Sequence, residues 1–538
     1  MKRTTTIVII IFITIALLPV MLARDYTPSN ELRYLNIVDE MIDGAHPFAM
    51  SDHSVPYADK PPLYFWFASL MKMIAGRHYM FLLTLLSFVP AIVIAFVMDR
   101  WTGERLTPLQ RSAATLMLFS TAYFLASSMV LRMDMLMCMF IVLSLYTFHK
   151  IYLNKKGARD RAAHIKSHES ANYQKDTLLL PVFVFLAIFS KGAVGFLVPV
   201  ISIIVFLISE RDWRIGRYLG LRFWGILILL CALWFTGVYI DGGKEYFNNL
   251  LFHQTVDRAV NSFHHKEPFW YYLVAYWYIF APWCVLIFVS FFVGAKGRFL
   301  GDSTSKLFIC IAATTFVMLS IISSKIAIYM LPAIPFFVYA AVLQLSGAEK
   351  KGAFKFAIGF AAVINILIFA GALLAKPVLG DKFDELPKLW APYWLITIAP
   401  AAGGVYALIK LKKNDLSKAI ISVTTTLFIL FYFIGLSTNK INPLIGVKAG
   451  SLEAAELAVE KNMDLRYYKY DKMVNLDHYF KQKNMTISKI EMEEMQDAKG
   501  YILFFREKEI RRDSVFAAFM KGREYNRYGD NICSTVIE

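Results

Sequence analysis

Charge is what this chain has least of. Only 18% of its 538 residues are Asp, Glu, Lys or Arg, where a soluble domain carries roughly 25%. Hydrophobic residues make up 57% and the mean hydropathy is +0.49. That balance excludes a water-soluble globular protein and indicates a polytopic membrane protein. Cysteine is scarce too. The five (Cys138, Cys231, Cys284, Cys310, Cys533) are scattered, four of them in apolar runs, a distribution that excludes a disulfide framework and any Cys-based metal spacing. No internal repeat and no low-complexity stretch is visible. The net charge of +16 is not gathered on one domain. It is spread over short segments between apolar runs, the positive-inside pattern, which argues against a nucleic-acid partner.

Runs of about 20 apolar residues are long enough to cross a bilayer as helices. Thirteen are expected, near 5–23, 79–98, 111–128, 131–152, 177–190, 193–209, 222–240, 269–293, 306–323, 326–345, 353–375, 391–410 and 418–437. The first follows Lys2-Arg3 but lacks a small-residue cleavage site, so it is read as an uncleaved anchor. Leu63 to Ile74 is apolar but too short to span and is expected to lie at the interface. The basic segment Leu153 to Asp176 fixes the orientation, with residue 1 inside and an odd number of spans. Residues 1–437 then form a transmembrane domain with a working first external loop, 24–78. Residues 438–538 form a small external α+β domain, with a helix near Leu452 to Asn462 and strand-like runs at Leu465–Tyr470 and Tyr501–Phe505. No catalytic residue is assigned to it.

The charge that is present concentrates just after the first span. Arg24 to Trp66 carries seven Asp/Glu, three Lys/Arg and two His, and ionisable groups at a membrane rim are expensive unless they do something. In Asn30-Glu31-Leu32-Arg33-Tyr34, a helix would put Glu31, Tyr34 and Val38 on one face. Glu31 would then present a carboxylate at the membrane surface with Arg33 close by; a solvated helix with an internal ion pair is the plainer alternative. In Tyr57-Ala58-Asp59-Lys60-Pro61-Pro62-Leu63, the two prolines stiffen the stem on which Lys60 stands. A cation so held suits a phosphate, although snorkelling to lipid headgroups is also open to it. Further along, Arg132 and Asp134 form an expected pair at the outer end of a span, Lys191 sits between two spans on the same face, and 241–268 supplies His253, Asp257, Arg258, His264 and His265 without a recognisable zinc spacing. Lys325 and Tyr329, four apart, are expected on one helical face.

Taken in order, these motifs resemble the polyprenol-dependent glycosyltransferases of the C-type membrane fold (GT-C), in particular the 4-amino-4-deoxy-L-arabinose lipid A transferases and the protein O-mannosyltransferases. The residues that carry the resemblance are Asn30–Tyr34, Tyr57–Leu63, Arg132-x-Asp134, Lys191-Gly192, the His253–Arg258 segment followed by Pro268–Tyr272, and Ser324-Lys325 leading to Tyr329–Pro332. The resemblance implies an all-α polytopic fold and transfer of a sugar from a polyprenyl-phosphate donor to a lipid, glycan or protein acceptor of the envelope, on the periplasmic side of a bacterial inner membrane. It implies donor-phosphate contacts from Lys60, Arg258 and Tyr329 and a site shaped by Arg33 and Tyr34 with support from Asp134; Lys325, by its spacing from Tyr329, is a further candidate to grip the phosphate, and Tyr57 and Lys191 are further site-shaping candidates. It places a divalent metal, where one is bound, at Asp59 and His253; no cofactor is otherwise implied. The departure is Asn30, where the family more often has an Asp proposed as the catalytic carboxylate. An amide takes no proton, so the role passes to Glu31 or Asp134. A surface-polysaccharide polymerase or ligase would concentrate its working residues in a later external loop, and a transporter near mid-membrane.

Overall fold

The computed structural model describes residues 2–160, 168–251, 266–294, 302–345, 351–383 and 389–538. Among the described residues, ten helices are long and apolar enough to cross a membrane: Thr4–Ala23, Met80–Thr102, Asp134–Lys156, Tyr173–Lys191, Leu221–Leu251, Ser303–Ile321, Ala327–Leu345, Gly352–Leu379, Tyr393–Lys412 and Leu416–Leu436. Two of the expected straight spans are instead broken, Pro108–Ser120 with Ala122–Met129 (67°) and Tyr271–Ile279 with Cys284–Val293 (118°). Mean apolarity is blind to such breaks, because the backbone groups freed at each are satisfied by the other. The amide of Ala122 donates to the carbonyl of Ala281 at 2.9 Å, and the Trp283 indole donates to Ser120 Oγ at 2.9 Å. Unsatisfied groups in lipid are not tolerated.

Val194–Ser209 is shorter than its neighbours, yet it joins the two faces of the bundle. Lys191 lies just before it. Just after it, Glu210 accepts from Tyr152 (2.6 Å), Lys306 (2.6 Å) and Lys156 (3.3 Å) at the opposite ends of other spans. On that same opposite face, Arg111 and Asp99 form a buried ion pair.

The rim that carries the charged loop is built by helices α1 (Lys2–Ala23), α2 (Glu31–Asp43) and α3 (Leu63–Ala75), with a two-residue hairpin, β1 (Ser51–Asp52) and β2 (Val55–Pro56), between α2 and α3. As its sequence suggests, α3 lies against the bundle with Leu63, Tyr64, Phe65 and Ala68 buried, while Met73 and Ile74 face out.

The chain closes with a five-stranded mixed sheet ordered β4-β3-β5-β7-β6, where β3 is Asp464–Tyr467, β4 Ile487–Lys489, β5 Tyr501–Arg506, β6 Asn526–Arg527 and β7 Ile532–Ile537. Both faces of central β5 are covered. Ile502 and Phe504 join the core that continues into the helical body, and Tyr501, Leu503 and Phe505 pack with Phe516 and Cys533 in a second cluster. Polar staples fix this region to the first loop: Asn442 donates to the Ala23 carbonyl at 2.7 Å and Asn475 to the Pro28 carbonyl at 3.2 Å.

Candidate active site

The loop is held in shape mainly by groups that its own pattern does not reveal. The Gly242-Gly243 pair in helix Leu221–Asn248 is the key on the far side. A Cβ on Gly242 would lie 2.7 Å from the Ala49 side chain, and Gly243 has φ +69, outside the helical range. The close approach lets Asp241 accept from the amides of Phe48 (2.7 Å) and Ala49 (2.8 Å) and contact His46 (2.8 Å). Tyr246 donates to the Tyr57 carbonyl at 2.7 Å and accepts from the Met50 amide at 3.1 Å. The Trp66 indole closes the circuit onto the Pro47 carbonyl at 2.6 Å.

Within this frame Glu31 is enclosed, which corrects the expectation of a carboxylate presented at the surface. It is 1% exposed. It accepts two hydrogen bonds from Arg24 (2.8 and 2.6 Å), one from the Thr27 amide (2.7 Å) and one from the Leu131 amide (2.8 Å). Burial alone would raise its pKa, but the Arg24 bonds and charge, helped by the two amides, outweigh it and hold the carboxyl below its ordinary value. All four lone-pair positions are taken. Arg33 does not tune it. Two residues apart on a helix do not face each other, and Arg33 turns instead to Asp52 at 3.2 Å. Glu31 is thus a latch that ties the start of α2 to the loop before Asp134. Asn30 precedes α2 at its N-cap position, half-buried, with no side-chain cap bond.

The sign of the Glu31 shift sets a pH test. Its folded pKa is depressed, so its stabilisation is fully present above the unfolded value of about 4.5 and is lost as the pH falls through the lower folded value. Glu31→Gln presents an amide N–H to donors and is expected to cost about 3 kcal/mol at pH 7. The gap in thermal midpoint between wild type and variant should narrow between pH 6 and the acid limit of folding. A gap that stays constant with pH removes the latch.

Asp134 opens the span Asp134–Lys156, where a carboxylate in the first turn meets the positive end of the helix. It is fully buried and is bonded by Lys191 and by Arg132 Nε (3.1 Å). The expected Arg132 pair is there, and Lys191 adds a second cation from a distant span. Lys191 Nζ also lies 4.8 Å from the centre of the Tyr329 ring, a cation–π contact in a largely dry setting. Arg132, Asp134, Lys191 and Tyr329, from three separate stretches, therefore meet at one point. The group holds two cations for one carboxylate. Tyr34 stands next to it, its hydroxyl 3.8 Å from Met133 Sδ and its ring edge-on to Tyr64 and Phe65. Burial pushes its phenol up to about 12, with Arg132, Asp134, Arg33 and Asp59 acting at shorter or longer range, so it remains a neutral donor. Asp59 also acts on the buried Tyr57 phenol, whose ring meets Phe65 edge-on, and this links the Lys60 end of the loop to the same neighbourhood.

Lys60 is half-buried, with Nζ 3.1 Å from the Asp59 carbonyl, and leads through Pro61-Pro62 into α3. Lys325 is placed differently from expectation. It lies in an extended segment, where Ser324 bridges Lys266, and the chain turns helical only at Ala327 as a 3-10 turn. Lys325 and Tyr329 do not share a helical face. The Lys325 ammonium is buried and donates to the Glu267 carbonyl at 2.9 Å. Arg258 and His253 lie outside the described residues. Among the described residues no three His, Cys, Asp or Glu form a set that could hold a metal ion. Arg24, Asp241 and Tyr246 escaped the sequence reading. Their partners lie in other segments, and only the clustering of Gly242-Gly243 hinted that another part of the chain comes close there.

No protein-family model matches the chain. An uncharacterized protein of Aquifex aeolicus is 24% identical over 353 residues, covering 64% of this chain and 65% of that protein's own length. The undecaprenyl phosphate-alpha-4-amino-4-deoxy-L-arabinose arabinosyl transferase of Shewanella sediminis is 24% identical over 446 residues, covering 80% of this chain and 76% of that one. Among solved structures, ArnT from Cupriavidus metallidurans superposes over nearly the whole length. Its apo form gives a TM-score of 0.69 with 16% identity over 99% of this chain and 98% of that one. Its undecaprenyl phosphate-bound form gives 0.67 with 17% identity over 98% and 97%. With its crossing helices, its charged first loop laid against one rim and its closing sheet, the chain is a multi-pass membrane protein that shares the fold of ArnT.

Proposed function

We propose that the chain transfers a sugar from a polyprenyl-phosphate donor to an envelope acceptor, with the charged rim facing the periplasm of a bacterial inner membrane. The observation that carries this reading is the cluster of Arg132, Asp134 and Lys191 beneath Tyr329, which keeps an excess positive charge at the end of the spans. A cation excess of this kind, with Lys191 sealed and Arg132 partly exposed, is costly unless an anion completes it. The phosphate of a lipid-linked sugar is such an anion, and its polyprenyl tail would leave between the spans. Lys60, Tyr329, Lys325 and, from the loop beyond the described residues, Arg258 are the donor-phosphate contacts in this reading, with Arg33, Tyr34 and Tyr57 shaping the wall. The positive-inside distribution supports the periplasmic assignment of this face, and in this reading residues 438–538 form a domain on the same side, next to the 1–437 transmembrane domain.

In the reaction the acceptor oxygen attacks the anomeric carbon, the bond from that carbon to the phosphate oxygen breaks, and polyprenyl phosphate departs with an added negative charge. Groups that stabilise this growing charge lower the barrier. Removal of the acceptor proton is less well served. Asn30 is not a base, Glu31 has all four lone-pair positions taken, and each Asp134 oxygen is held by a cation. For an acceptor that arrives already ionised, such as a lipid A phosphate, that is no handicap. For a hydroxyl, general-base help is worth about 10²–10⁴-fold. The closed carboxylates therefore favour a phosphate acceptor over a sugar or serine hydroxyl.

The test is reconstitution of the full chain in proteoliposomes with undecaprenyl phosphate-linked 4-amino-4-deoxy-L-arabinose and, in parallel, lipid A and its dephosphorylated form. Product is read by mass spectrometry of the lipid. Transfer to lipid A that fails on the dephosphorylated form is the expected result. Transfer that proceeds equally on both defeats the phosphate-acceptor reading. Transfer from a soluble nucleotide sugar, with none from polyprenyl-phosphate sugars, defeats the donor assignment.

A further inference from the structure

A second charged cleft lies at the same rim, and none of the expected donor-binding residues lines it. It has a volume of about 710 Å³ and is enclosed by the end of α1, the turn after α3, the start of the span Met80–Thr102 and residues 478–482 of the closing region. Its cations are Arg24, Lys72, Arg77, Lys448 and Lys481, against the carboxylates Asp25 and Asp39. Arg24 is committed to Glu31, and Lys72 to Asp39 at 2.6 Å. Arg77 and Lys481 are exposed and make no ion pair with any described residue; Arg77 rests on the Tyr79 ring at 4.3 Å. The wall is thus left with a positive excess.

The lining also contains polar groups that lack partners. The hydroxyls of Tyr26 and Tyr479, Nδ1 of His78 and Nε of Arg24 are buried with no hydrogen-bond partner. Tyr479 is 1% exposed and the His78 side chain 5%. Buried donors left unsatisfied are rare in native proteins, and three on residues around one cleft, the two hydroxyls and Arg24 Nε, point to a missing acceptor. Burial pushes both phenols up, which keeps them as donors. The cleft's lower edge is apolar and bare, with Leu22 (58% exposed) on its wall and Met73 and Ile74 (69% and 75%) on the last turn of the adjoining α3. Cations and donors above, bare aliphatic surface below, match a molecule with a phosphate at one end and acyl chains at the other.

We propose that this cleft seats the phosphate headgroup of an anionic membrane phospholipid, which bridges the first loop to the closing region. Arg77 and Lys481 supply the charge recognition from either side, and the lipid tails lie along Leu22 and the end of α3. The reading is independent of which sugar or acceptor the enzyme uses.

Native mass spectrometry of the delipidated full chain tests it, by titration with phosphatidylglycerol and, separately, with phosphatidylcholine. Phosphatidylglycerol should be retained preferentially. The Arg77→Ala/Lys481→Ala double variant should lose about tenfold or more of that retention, since each cation near a lipid surface is worth about 1 kcal/mol. Arg77→Lys/Lys481→Arg should restore it. Equal retention by wild type and the alanine variant overturns the site. A wild-type preference abolished by millimolar inorganic phosphate, with phosphate itself retained by the protein, overturns the lipid assignment in favour of a free-ion site. The variants sit on exposed side chains, and their circular dichroism should match wild type.

Discussion

Alanine at position 134 is expected to lower the stability of the folded chain by about 3–5 kcal/mol, because it strips a buried ion cluster of its carboxylate. Asp134 has 1% of its side chain exposed and Lys191 8%. Without the carboxylate, the sealed Lys191 and the partly exposed Arg132 are left with like charge at one point, with the Tyr329 ring against the ammonium. The measurement is unfolding in a mild detergent, followed by tryptophan fluorescence. The companion variant Asp134→Ala/Lys191→Met separates the two contributions, since removing both charges should recover more than half of the loss. A single variant as stable as wild type to within about 0.5 kcal/mol would show that the cluster does not act as a unit. Because α2 is latched to the loop 129–131 through Glu31, loosening Asp134 should also loosen the first loop. Proteolysis near residues 44–60 offers an independent readout.

Lys60→Ala should leave that stability nearly intact and reduce the turnover of sugar transfer by about 10²–10³-fold, the usual effect of removing one preorganised group that stabilises charge in a transition state. Lys60 is half-buried rather than sealed, so water can solvate the groups around it when the ammonium is removed. Its stem is stiff, since Pro61 and Pro62 are buried and Trp66 anchors the following turn to Pro47. A positioned cation of this kind acts mainly on kcat, because the leaving phosphate carries more charge in the transition state than in the bound donor. Lys60→Arg should retain part of the rate. Turnover in Lys60→Ala within threefold of wild type, measured at saturating donor, removes Lys60 from the donor site.

How much was readable beforehand differs by kind of structure. The crossing helices were legible because transfer to lipid is additive along the chain. Even Val194–Ser209, too short to meet a length criterion, announces itself by its lack of charge. The short apolar helix α3 was legible in the same way, and the helix from Glu31 by the face its side chains share. The breaks at Thr121 and near Ala281 were not, since a bend costs nothing in mean apolarity and depends on a carbonyl supplied by another segment. The site residues divide along the same line. Arg132 with Asp134 could be paired from their spacing; the bond from Lys191 to Asp134 joins residues 57 apart. Glu31 was misread as open because its partner Arg24 lies outside the helix, beyond the reach of any helical-face argument. Lys325 was misread because a 3-10 turn begins two residues after it and cancels the i, i+4 relation.

The two broken helices have a mechanical meaning. Each elbow is spliced to the other, one by an amide and the other by an indole, so neither can straighten or swing alone without exposing a bare carbonyl to hydrocarbon. They are one rigid fitting made from two pieces of chain. A change that frees one elbow therefore strands a polar group at the other, more than 150 residues away along the backbone.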